Sequence, residues 1–312
     1  MKVLFFGTAS ISKFYLEHLY SSGHELFIVT MPDKPALRGQ RIVSPAVKIF
    51  AIEKSIKFIQ SLKFAQDVQE TIKNFNADVG IAVSYGKLIP RNIFALPKYR
   101  TFNIHFSLLP KYRGAAPVQH ALLNGETKTG VTSFYIEDGL DAGNILVQRS
   151  VDIEKKDNAQ TLFNKLVPIG VEVMDQTLSL LKSEKIVIIP QGEPTFAPTF
   201  KKEDGLIDWS KSAKQLYNQF RGLYLWPGVY STFIENCAKS KRVKFLDFEI
   251  VDEESKNNNY GTVVSIEKNV GFTIACAVGK ILVTRLQPEN KPIMSAWSFV
   301  LGRTLKVGKT FK

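Results

Sequence analysis

The hydrophobic period of this chain changes once, at Trp226-Pro227-Gly228, and that change limits what the chain can fold into. Upstream, short apolar runs alternate with segments of helical spacing. Lys2–Phe6 reads as a buried strand and Gly7-Thr8-Ala9-Ser10 as a turn. Ile11, Phe14, Tyr15, Leu19 and Tyr20 then recur as one helix face, Gly23 stops the helix, and His24–Thr30 is a strand again. Strand–helix–strand order of this kind builds a parallel sheet covered by helices. Further strands are expected at Lys57–Gln60, Asp78–Ser84, Thr101–His105, Gly130–Ile136 and Asn144–Ile153. Helices are expected from Pro45 to Lys54, Ala65 to Phe75, Pro117 to Asn124 and Asn158 to Ser183, the last bent or broken near Pro168.

Downstream, the strand patterns Val229–Ile234, Val243–Val251, Gly261–Ile266, Phe272–Ala277 and Ile281–Leu286 follow one another without a helix. A small barrel of OB type accommodates such a run, and it is a common nucleic-acid platform. Residues 190–207, rich in Pro and Gly, read as a linker, and Ser210 as the cap of a helix reaching about Gly222. The expected architecture is therefore a Rossmann-like, mainly parallel α/β sheet with helices on both faces over residues 1–189. A linker (190–207) and an OB-like barrel domain (208–312) follow.

Charge narrows the partners. The chain carries +12 overall, of which +7 falls from Asp208 onward, in the shorter part. An acidic macromolecule, RNA foremost, fits that balance, and so does a Lys-rich solvated surface. Cys237 and Cys276 lie 39 residues apart in apolar runs, with no metal-ligand or disulfide spacing. No metal site is visible. No apolar run reaches the ~18 residues a membrane-crossing helix needs, so a cytoplasmic protein without a membrane partner is expected. The first turn, Gly7-Thr8-Ala9-Ser10, lacks GxGxxG and disfavours a dinucleotide. The irregular stretch 31–44 carries Lys34, Arg38 and Arg41 against one acid, Asp33; a loop this long in a compact domain is either functional or simply solvated.

The chemistry concentrates in TFNIHFSLLPKYRGAAP, Thr101 to Pro117. Asn103 and His105 stand at i and i+2 on a strand and point to one face. Asp141, in the Gly-rich loop EDGLDAG (Glu137–Gly143), could bring a carboxylate to them. Open α/β sheets collect their sites at the carboxyl ends of the strands. The Asn103–His105 strand ends there, as does the strand before Glu137 if it is parallel. Such a trio suits acyl transfer to an amine without a Ser or Cys nucleophile. The Asn amide and a protonated His would donate to the developing oxyanion, about 3–4 kcal/mol per donor in known sites. The Asp would raise the His pKa, keep it charged, and take the amine proton directly or through a water. Each residue also has an ordinary reading: a packed His, a structural Asn, a turn Asp.

The segments NIHFSLLPKYRGAAPVQHALLNGE and TGVTSFYIEDGLDAGNIL resemble the formyltransferases that use 10-formyltetrahydrofolate. The resemblance implies that Asn103, His105 and Asp141 are catalytic and that Ser107, Leu108, Leu109 and Pro110 line the folate site. FFGTAS, MPDKPALRGQ with SPAVK, RGAAP, and PTFAPTFKKEDGLIDWSKSAKQL are similar to the branch of that family whose acceptor is initiator methionyl-tRNA. For that branch the loop with Lys34, Arg38 and Arg41 would grip the acceptor stem, with Arg38 at its key basic position. A monomer is expected. Departures from the family pattern are Ala9 where Pro is usual, Phe106 after the His, and Leu225 where Pro is usual. Two other acceptors or roles stay open at this point. One is an amino-sugar nucleotide in place of tRNA, and the other is a non-catalytic RNA-binding protein.

Overall fold

The computed structural model describes residues 1–35, 42–234, 240–303 and 305–312. In chain order the first elements are β1 (Lys2–Gly7), α1 (Ser10–Ser21), β2 (Glu25–Thr30), β3 (Lys34–Pro35), β4 (Ile42–Val43), α2 (Ala46–Glu53), β5 (Lys57–Gln60) and α3 (Gln66–Phe75). There follow β6 (Val79–Val83), α4 (Arg91–Phe94), β7 (Thr101–His105), α5 (Pro117–Leu123), β8 (Lys128–Tyr135), β9 (Ile145–Asp152) and α6 (Ala159–Lys182). The last are α7 (Ala213–Gly222), β10 (Val229–Ile234), β11 (Ser240–Lys256), β12 (Val263–Glu267), β13 (Gly271–Ala275), β14 (Val278–Pro288), β15 (Met294–Ser295) and α8 (Ala296–Arg303). They form two compact units. One holds residues 1–114, 128–152 and 164–196; the other holds 115–127, 153–163 and 197–312.

The first unit is a seven-stranded sheet in the order β5-β2-β1-β6-β7-β8-β9. The first five strands are parallel, and β8 and β9 run antiparallel at one edge. Strands buried on both faces read as unbroken apolar runs, as β1 and β6 do. On one face Leu4 and Phe6 of β1 pack with Ile72 of α3 and with Ile93 and Phe94 of α4. The order reverses at β1, which has β2 on one side and β6 on the other, so the carboxyl ends of β1, β6 and β7 lie side by side. Two hydroxyls tie the turn after β1 and the start of α1 to the end of β6: Ser12 donates to the Val83 carbonyl at 2.6 Å and Thr8 to the Tyr85 carbonyl at 2.8 Å.

Two expectations need correction here. Of the two outcomes expected at Pro168, the break does not occur: α6 runs through it, with Leu162, Leu166, Val173 and Met174 fully buried. Burial of that stripe outweighs the one donor that Pro removes. Also, β8 is antiparallel to β7, with Tyr135 opposite Phe102 and Thr132 opposite His105. The loop after β8 therefore starts at the amino end of β7 and has to fold back to reach its carboxyl end.

In the second unit all strands of the larger sheet are antiparallel, in the order β10-β11-β14-β13-β12, with β15 on β14. The chain's last residues bridge its two edges. Thr232 and Lys312 exchange backbone bonds of 2.7 and 2.8 Å, and the Phe311 N–H donates to the Gly261 carbonyl at 2.9 Å. This covers the edges that an open sheet would expose. Phe311 fills the interior, stacked on Phe272 with ring centroids 5.6 Å apart and flanked by Phe233 and Phe245. The cap of α7 is Ser212, not Ser210. The Ser212 hydroxyl accepts the Gln215 N–H at 3.2 Å and the Gln215 side chain accepts the Ser212 N–H at 3.0 Å. Ser210 instead donates to Asp208.

Candidate active site

The site is assembled on β7. Because strand side chains alternate, Phe102 and Ile104 turn into the packed interior while Asn103 and His105 share the other face. The chain then turns through Phe106–Pro110. The Ser107 hydroxyl donates to the Lys111 carbonyl at 2.6 Å and the Ser107 carbonyl accepts from the Thr132 hydroxyl at 2.6 Å. Gln148 donates to the Leu109 carbonyl at 2.9 Å. Leu109 packs with Phe134 and Ile145, and the Leu109-Pro110 peptide is cis. Ser107 and Leu109 are thus buried with their polar groups used internally, whereas Leu108 and Pro110 are half-buried. Any ligand along this segment meets its shape and those two side chains more than the Ser107 hydroxyl.

His105 is 5% exposed. Its Nε2 lies 2.9 Å from the Tyr112 carbonyl, and its Nδ1 lies 3.6 Å from Asp141 Oδ2. A carbonyl can only accept, so Nε2 carries the hydrogen and the neutral ring presents its Nδ1 lone pair to Asp141. Burial lowers the His105 pKa below the ordinary 6.5, against an upward pull from the Asp141 carboxylate and from the Tyr112 carbonyl. Burial thus opposes the charged imidazole that the sequence led one to expect, while Asp141 favours it. The Asn103 amide makes no hydrogen bond among the described residues and is half-buried on the same face. Among those residues it is a donor without an acceptor.

Asp141 arrives from the folded-back loop at positive φ, +48°, a conformation that Asp tolerates better than most side chains. Its Oδ2 accepts the Gly114 N–H at 2.8 Å. Gly143 permits the reversal, since a Cβ there would sit 1.7 Å from the Tyr135 carbonyl oxygen. The structure thus brings Asn103, His105 and Asp141 to one place in the first unit. Lys34 lies in β3 and is exposed; Arg38 and Arg41 fall outside the described residues.

Three participants escaped the sequence. Tyr112 offers a backbone carbonyl, which no side-chain pattern signals. Gly114 offers its N–H. Gln191, between Pro190 and Gly192 in what read as linker, donates to the carbonyls of Asp141 at 2.9 Å and Gly143 at 2.6 Å.

Known families account for both units. Residues 1–178 match the formyl transferase model, and residues 199–304 match the formyl transferase C-terminal domain model. The chain belongs to the formyl transferase family. Among its curated members, a methionyl-tRNA formyltransferase of Endomicrobium trichonymphae is 58% identical over the full length of both chains. Another, of Thermodesulfovibrio yellowstonii, is 38% identical over 98% of this chain and 97% of its own. Among solved structures, HypX from Aquifex aeolicus in complex with tetrahydrofolic acid superposes with a TM-score of 0.64 at 17% identity. That match covers 99% of this formyl transferase chain and 48% of HypX, so the chain spans about half the length of that neighbour. No helix among the described residues is long and apolar enough to cross a membrane.

Proposed function

We propose that this chain transfers the formyl group of 10-formyltetrahydrofolate to the α-amine of methionine on initiator tRNA. The observation that carries the reading is the 58% identity, end to end, with a methionyl-tRNA formyltransferase. The trio on β7 and the loop supports it, because the reaction needs an oxyanion donor and a proton acceptor and no covalent nucleophile.

The chemistry follows from the geometry. The amine attacks the formyl carbon, a C–N bond forms, and negative charge gathers on the formyl oxygen. Asn103, whose amide has no acceptor among the described residues, is the donor to that oxygen. The amine must also lose a proton. His105 Nδ1 and Asp141 Oδ2 turn lone pairs toward each other at 3.6 Å, and a proton arriving there creates an imidazolium paired with a carboxylate. Burial, by disfavouring the charged ring, favours a His105 that starts neutral and can accept the proton. Its role is thus proton acceptor, not standing oxyanion donor. When the bond to the folate nitrogen breaks, that nitrogen takes up the proton, and tetrahydrofolate and formylmethionyl-tRNA leave with His105 neutral again. Leu108 and Pro110 flank the folate, with Ser107 and Leu109 holding the segment's shape.

Division of labour completes the proposal. The α/β part does the chemistry, and the basic barrel, with the loop of Lys34, Arg38 and Arg41, holds tRNA by phosphate contacts. The test is formylation of charged initiator tRNA by the purified protein and by Asn103→Ala. A loss of about 10²–10³ in kcat is expected for one oxyanion donor, and near wild-type turnover in the variant would sink the assignment.

A further inference from the structure

We infer that Gln191 is a positioning residue for the reaction, holding the Asp141 carboxylate toward His105 through the backbone of the Glu137–Gly143 loop. The inference rests on the reading of Asp141 as partner of the His105 base.

One side-chain amide spends every hydrogen it has on this loop. The two Nε2 hydrogens of Gln191 go to the Asp141 and Gly143 carbonyls, at 2.9 and 2.6 Å. Its Oε1 accepts from Arg113 Nε at 2.9 Å. Arg113 is itself fixed to the same segment, its N–H donating to the Thr195 carbonyl at 2.8 Å. The next residue, Gly114, returns an N–H to Asp141 Oδ2 at 2.8 Å. The bonds close a ring: Gln191 to the Asp141 backbone, the Asp141 carboxylate to Gly114, and Arg113 back to Gln191. Within it Asp141 is held at both ends, its carbonyl by Gln191 and its carboxylate by Gly114.

Such a ring matters because the loop's other side-chain ties, Glu137 to Arg100 and Asp138 to Arg91, stop short of Asp141. The residue sits at φ +48° in a loop with Gly139 at +109°, where the backbone has little preference of its own. The loop also has to double back from the amino end of β7. At 3.6 Å the Nδ1–Oδ2 pair lies just outside hydrogen-bond range, so small displacements decide whether a proton can be shared. Gln191 touches no reacting atom; it acts by fixing where Asp141 stands.

The test is Gln191→Ala alone, Asp141→Asn alone, and both together, in the whole chain, with formyl donor and charged tRNA each varied up to saturation. A 1 Å misplacement typically costs ~10²-fold, so the smaller drift expected in Gln191→Ala should lower kcat about tenfold. KM for either substrate should stay within about twofold, since no substrate contact is lost. The acid limb of the pH–rate profile should move to lower pH, because His105 loses part of the upward pull of Asp141. In the Asp141→Asn background, adding Gln191→Ala should change kcat by less than about twofold, as expected of a residue that acts through Asp141. If the alanine variant lowers the melting temperature, Gln191→Met replaces it. That variant roughly keeps the volume, adds no charge and offers no N–H to the two carbonyls, so it should be equally slow. A full additive loss in the Asp141→Asn background, or an unmoved acid limb, would overturn the inference. Near wild-type rates for Asp141→Asn itself would instead remove the reading on which it rests.

Discussion

The β7 site and the barrel interior are held by opposite means. Around His105 a few polar bonds do the work: Tyr112 carbonyl to Nε2, Gly114 N–H to Asp141, Gln191 to two loop carbonyls. Inside the barrel the cohesion is aromatic, with Phe233, Phe245 and Phe272 each against Phe311 and one buried polar bond of note, from Trp209 Nε1 to the Ser231 hydroxyl at 3.0 Å. The first arrangement is directional and fixes atoms to within tenths of an ångström. The second is area-driven and fixes a shape. Damage to the site should therefore appear in rate before stability, and damage to the barrel in stability before the chemical step.

The largest effect should come from Phe311→Ala. Phe311 is 1% exposed, and emptying such a place typically costs ~3–5 kcal/mol. Thermal or denaturant unfolding should show the loss, while the molecules that remain folded should keep their kcat. An intact melting profile would show that the aromatic interior does not hold the barrel together. Next in size is Arg38→Ala, aimed at the basic loop. Apparent KM for charged tRNA should rise roughly tenfold at moderate salt, and the slope of log affinity against log salt should fall by about one. An unchanged slope would remove this loop from the tRNA contact. The smallest effect is in pH. A His whose folded pKa is depressed stays neutral while the unfolded chain protonates below the ordinary 6.5. Its contribution to stability is then present above 6.5 and is lost as pH falls from there toward the folded pKa. The activity limb should share this low position. In Asp141→Asn it should lie lower still, because the carboxylate that pulls the pKa up is gone. A limb above 6.5 would restore the charged-His reading.

The two regions also differ in how openly the sequence announces them. Parallel strands buried on both faces and an i, i+2 pair such as Asn103 and His105 are local patterns, and period 2 places both residues on one face without tertiary knowledge. Asp141 was legible as a carboxylate between glycines. Its route was not, since the antiparallel sense of β8 depends on pairing across the sheet. The balance of burial against charge at His105 was also hidden. The Asp argues for a raised pKa, and only three-dimensional packing reveals that desolvation is larger. Gln191 was hidden for a different reason. Its Pro–Gly surroundings read as linker, and its hydrogen bonds go to backbone carbonyls, which every residue type possesses. In the barrel the strands stood out, but the closing role of Thr310–Lys312 did not, because a three-residue tail carries no period.

The most direct measurement offers the purified protein 10-formyltetrahydrofolate and three acceptors side by side: charged initiator tRNA, charged elongator tRNA and an amino-sugar nucleotide. Formyl should appear on methionine of initiator tRNA at a kcat/KM well above either alternative. Preferential formylation of the amino-sugar nucleotide, or no transfer to any of the three, would contradict the function proposed for the trio on β7.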